Sequence, residues 1–150
     1  MALDDLAADD EHRRPDGVDD ATVEAVGGLT EALEWVERAR GDLYEFHQKM
    51  GHADLLISDA ADALGRAGHD QAADRIRTEL VGRNTLPGRW TFQIVEEFDD
   101  GYWTDVRAHE RRVRDELLDG RRHVSESEMK EDRRTHGRPG HEVRPSPSPG

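Results

Sequence analysis

Five side chains in this sequence have the chemistry of metal ligands and stand where helical periodicity calls for apolar residues, or beside such positions: His47, Asp54, Glu96, Asp99 and His109. Imidazole nitrogens and carboxylate oxygens are the donors that divalent cations take inside helical bundles. Arg40, His47 and Asp54 fill in-phase gaps of one apolar row. A buried carboxylate or imidazole without a partner costs several kcal/mol, so each calls for an ion, a ligand or a countergroup. His47 and Asp54 lie ~10.5 Å apart along a helix axis. That is too far for one ion with bonds of ~2 Å, so a metal site needs donors from a second helix. Asp99 interrupts the patch of Phe92, Val95 and Trp103, with Glu96 beside it. His109 shares the row of Val106 and Val113. Gly51, between His47 and Asp54, leaves room on the same face.

A second constellation is Arg83, Asn84 and Arg89, which could accept an anion near a helix start. Around it lie most of the aromatic residues: Trp90, Phe92, Phe98, Tyr102 and Trp103. Catalytic patterns are missing. The Glu-x-x-His pairs of di-iron bundles do not occur, since Tyr44 and Val106 stand three residues before the two histidines. There is no phosphate-binding or dinucleotide glycine motif, no HExxH and no GxSxG. With no cysteine, thiolate catalysis, disulfides and Cys-ligated metals are excluded. No catalytic residue is assigned, and the cofactor is none or a divalent metal.

Helices must position these groups. Leu29, Leu33, Val36, Leu43, Met50, Ile57, Ala61 and Leu64 recur at helical spacing. A second row, Ala32, Trp35, Ala39, Phe46, Ala53, Leu56 and Ala60, is expected to widen the buried face. The spacing predicts one helix over 20–66, with a kink or break at Gly41 as the alternative. Asp42 and Glu45 would form a capping box there, but the apolar phase continues unshifted across it. A short helix is predicted over 70–82, and a longer one over 88–118 with Pro87 in its first turn. The buried row of that longer helix reads Val95, Phe98, Tyr102, Val106, Val113 and Leu117. A charged helix over 123–134 completes the set, and no strand pattern is present.

The fold class is therefore all-α, a helical bundle of three or four main helices. Residues 1–18 read as a disordered acidic arm and 19–120 as the bundle domain. Residues 121–137 read as a charged helix or extension, and 138–150 as a disordered, proline-rich tail.

Net charge is −13, unevenly placed. Residues 107–144 carry 11 basic and 9 acidic side chains, and the remainder 10 and 25. Most of the surface should repel nucleic acid and anionic lipid. No apolar run approaches the ~20 residues of a membrane helix, and the N-terminus lacks a signal-peptide core. A cytoplasmic location is expected. The expected function is a non-catalytic module that self-associates, as a homodimer, or binds a protein partner. The alternative is a bundle with an internal metal or small-ligand site.

Overall fold

The computed structural model describes residues 11–145 and is all-α. Its elements are α1 (Asp20–Arg66), α2 (Asp70–Glu79), α3 (Thr91–Phe98), a π-helical turn (Asp99–Trp103), α4 (Thr104–Leu118) and α5 (Val124–Arg133). α1 is unbroken through Gly41, and its bounds are those read from the sequence. No helix is long and apolar enough to cross a membrane among the described residues. The chain divides into two compact units, residues 1–34 with 106–150 and residues 35–105.

The first unit holds the start of α1, α4 from Val106, and α5. Asp19 opens α1 by accepting the Thr22 N–H at 2.8 Å, which offsets one of the unpaired amides at a helix start. Val23 and Val26 pack with Leu118 and Val124 into the buried core, flanked by Val18 and Val113. Gly27 faces α5, where a Cβ would lie in ordinary contact, 3.5 Å from the Cβ of Ser125. Glu110 is buried but satisfied: the Thr30 hydroxyl donates to it at 3.0 Å and Arg114 at 3.1 Å. Arg114 also donates to the Gly120 carbonyl at 2.7 Å. Gly120 has φ +73° and sends its N–H back to the Arg114 carbonyl, closing α4 in the left-handed manner that glycine permits.

The expected arm and tail are partly engaged in this unit. Residues 1–10 and 146–150 lie outside the described residues. Arg14 forks onto Glu128 at 2.8 and 2.9 Å and pairs with Asp20 at 2.6 Å. Val143, within the segment read as an unpacked tail, is buried, and its carbonyl accepts from Lys130 at 3.0 Å. One valine with a carbonyl anchor holds a segment that its prolines made look unpackable.

The second unit holds the rest of α1, α2, a loop, α3 and the π turn. α1 ends at Gly68, φ +89°. α2 lies on α1 through two fully buried alanines, Ala61 and Ala73, while Arg77 donates to the Ala61 carbonyl and to Asp62. The predicted short helix stops at Glu79 rather than residue 82. Pro87 does not enter the next helix. Leu86 and Arg89 exchange both backbone hydrogen bonds across Pro87-Gly88, with Gly88 at φ +76°, as a proline–glycine turn requires. α3 starts after Trp90, whose N–H is accepted by the Gln93 side chain.

Two apolar rows differ from the sequence expectation. A π turn takes up about one residue more than an α turn, so it advances the helical phase. Within it Trp103 replaces Tyr102, and at the end of α4 Leu118 replaces Leu117, on the packed side; Tyr102 is 61% exposed and Leu118 3%. On α1, the first row packs except at Met50, which is exposed, and the second does not widen the buried face. Ala32, Trp35, Ala39, Phe46, Leu56 and Ala60 are all exposed, and Ala53 is half-buried.

The valine and leucine core of the first unit is small, so single truncations there should be costly. Leu118→Ala is expected to remove ~2–4 kcal/mol of stability, the range for a buried leucine with little room to collapse. Urea unfolding followed by circular dichroism measures it, and a loss below ~1 kcal/mol would show that Leu118 does not anchor this core.

Candidate functional site

In the second unit, α1 turns Arg40, Tyr44, His47 and Asp54 inward, all half-buried. Arg40 and Tyr44 share one partner, and His47 and Asp54 each take another. Arg40 grips Asp99 with two parallel bonds, Nε to Oδ1 at 2.8 Å and Nη2 to Oδ2 at 3.1 Å. The Tyr44 hydroxyl donates to Asp99 Oδ2 at 2.9 Å. The Arg40 guanidinium lies over the Trp103 ring, 3.8 Å from its centroid, and Trp103 Nε1 donates to Glu37 at 2.9 Å. The π turn makes this cluster. It places Asp99 and Trp103 together against α1, and the Thr104 hydroxyl donates to the Asp99 carbonyl, five residues back.

Electrostatics follow the geometry. The hydrogen bonds from Arg40, then Tyr44, hold the Asp99 carboxyl below its ordinary value, against the opposing effect of burial. Asp99 in turn raises Arg40 and, by accepting its proton, the Tyr44 phenol. The cluster is a forked ion pair in which three hydrogen bonds fall on the two Asp99 oxygens, the stronger, charge-assisted kind that fixes direction.

The other sequence-derived candidates lie apart. His47 Nδ1 is 2.6 Å from the Thr91 hydroxyl at the start of α3. Asp54 accepts the Gly82 N–H at 3.0 Å. Glu96 is exposed on α3, and His109 is exposed on α4, in the first unit. The residues proposed as a metal set thus take separate partners or face solvent. Among the described residues, the His and carboxylate group whose ligand atoms lie within 4.8 Å of one another is Glu34, His123 and Glu126, all exposed.

The anion candidates also divide. Arg83 and Asn84 line an open groove of about 990 Å³, together with Met50, Gly51, Asp54, Leu55, Leu80, Leu86 and Trp90. Arg89 instead closes on Glu97 at 2.7 Å, beside the start of α3. The groove is mainly apolar with few polar groups, the composition common to small-molecule sites. Gly51, read as leaving room on the buried face, is instead exposed at this groove, and a Cβ there would meet nothing within 4 Å.

Arg40 and Asp99 were both visible in the sequence as misplaced charges, but their pairing and the role of Tyr44 were not. Tyr44 sits outside the apolar rows, and only the π turn brings Asp99 to it.

The low Asp99 carboxyl makes a pH prediction. A group depressed in the folded state stabilises fully above its ordinary value, 3.8, and loses that contribution as pH falls through the folded value. Asp99→Asn should therefore lower the melting temperature near pH 7 and flatten its fall below about pH 4. Melts from pH 7 to 2 by circular dichroism test this; parallel profiles for the two proteins would mean that Asp99 is not held ionised by Arg40.

No family model, curated protein or solved structure matches the chain.

Proposed function

We propose that the protein is a non-catalytic helical module that works by self-association, as a homodimer formed through the outward face of the second unit. The observation that supports this most is the exposed apolar row of α1, with Trp35 61%, Leu56 53% and Phe46 41% accessible. In a chain with 37% charged residues, several large apolar side chains on one exposed helix face are unusual surface for a monomer. Trp90, Phe92 and Tyr102 add further exposed aromatic area in the same unit. Aromatic anchors of this type contribute most where they are desolvated by a partner.

The continuity of α1 also supports the reading. A break at Gly41 would let the N-terminal segment fold back over the apolar surface, whereas the unbroken helix leaves it for a second molecule. Twofold pairing is the commonest form of such association.

A second reading follows from the groove beside Arg83. Its volume suits a small, largely apolar molecule carrying an acidic group. Native mass spectrometry of purified protein tests it: a bound mass lost on Arg83→Ala supports it, and bare chain mass throughout opposes it.

For the leading reading, light scattering at micromolar concentration should give about twice the 17.0 kDa chain mass. Trp35→Glu with Leu56→Glu should return that mass to the monomer while leaving helix content unchanged, because both side chains are exposed. A wild-type protein that scatters as a monomer across this range would overturn the proposal.

A further inference from the structure

The geometry points to a specific arrangement of that dimer: α1 of a second copy lies antiparallel along the outer face of α1, centred between Phe46 and Lys49, with Arg38 meeting Asp59 of the second copy. This rests on the self-association proposed above and adds its partner face, direction and register.

The outer face has the seven-residue repeat of a coiled-coil seam. Ala39, Phe46, Ala53 and Ala60 form one column, and Trp35, Asp42, Lys49 and Leu56 the other. All are exposed except the half-buried Ala53, while Val36, Leu43 and Ile57 beside them are half-buried. The seam is thus an available face, distinct from the one already packed.

Direction follows from charge. In a parallel, in-register pair each residue meets its own copy. Asp42 would face Asp42 and Lys49 would face Lys49, like charges in the centre of the interface. Flanking Arg38 would meet the leucine at position 43, which offers no countercharge. In an antiparallel pair the columns cross, and four layers follow from one register. Trp35 lies on Ala60, Ala39 on Leu56, Asp42 on Ala53, and Phe46 on the Lys49 stem. Large side chains meet alanines in two of these layers, as interdigitated packing requires. Lys49 brings its ammonium to the Phe46 ring rather than to another cation.

The same register fixes the flank independently. The column beside the seam reads Arg38, Glu45, His52 and Asp59. Antiparallel alignment sets Arg38 against Asp59 and Glu45 against His52, each twice by symmetry. Inside one chain these groups are weakly engaged: Arg38 stacks 4.4 Å over Trp35, and Glu45 meets Lys49 at 3.5 Å on an exposed surface. Asp59 and His52 are exposed. None of the four is committed inward, so the flank is free to read a partner.

Charge exchange tests this without touching the core. Arg38→Glu and Asp59→Arg are made separately and together, and dimer dissociation is measured by sedimentation at low salt. Each single exchange should weaken the dimer ~tenfold, since two symmetric attractions become repulsions. The double variant should return to within ~threefold of wild type, because the same pairs re-form with signs reversed. Wild-type dimer that ignores both single exchanges, or single losses that the double does not recover, would overturn the antiparallel register while leaving self-association standing. A monomeric wild type would overturn both. Unchanged melting of the single variants at monomer concentrations confirms that folding is not the quantity being read.

Discussion

A helix of 47 residues extends ~70 Å, and the elements available to cover it in this chain have 8 to 15 residues. Helices of this length gain most of their stability from the burial of an apolar face rather than from propensity, which glycines at 41 and 51 weaken further. The cover that α1 does receive comes piecemeal. In the first unit Leu118 of α4 and Val124 of α5 close on Val23 and Val26 of its opening turns. In the second, alanines at 61 and 73 let α2 lie close, and α3 with its π turn meets the inward row. Each contact is thin: no large side chain among the described residues is fully buried.

Thin apolar contacts place more weight on polar ones. Arg40, Asp99, Tyr44 and Trp103 fix α1 to the π turn by direction as well as by contact, since a forked guanidinium–carboxylate pair tolerates little rotation. Arg114 does comparable work elsewhere, joining buried Glu110 to the turn at Gly120. Such pairs are modest sources of net stability, because removing their water costs much of what the charges gain. What they supply is register: one arrangement satisfies every lone pair and the alternatives leave a charge unpaired.

Helix bounds were legible because apolar spacing and glycine stops agree. The span 20–66 and the segment ending at Leu118 both follow from such agreement. Which apolar row of α1 packs was not legible, since Leu43 and Phe46 look alike to periodicity while only tertiary partners separate them. Tyr102 and Leu117 failed for another reason: a π turn carries no signature in composition, and it shifts these two positions outward while Val106 and Val113 of the same row stay half-buried. Misplaced charge located Arg40, His47, Asp54 and Asp99 correctly as inward-facing groups. It could not name their partners, because those come from loop and turn geometry, at Thr91, Gly82 and the π turn itself. The groove was likewise visible only as a cluster of Arg83, Asn84 and aromatics, without the walls that α1 gives it.

The π turn also gives single-residue length changes an unusual meaning in this chain. In a loop, losing one residue is absorbed by slack. Within Asp99–Trp103, losing one would let the segment relax to ordinary α geometry, at about 100° of rotation per residue. The extra residue and the widened turn that holds it would go together, so the side chains of α4 would keep their faces, with Leu118 packed and Leu117 exposed. The turn thus acts as a frame marker: one residue can be lost inside it, while the same loss within α4 would turn every later side chain by about 100°.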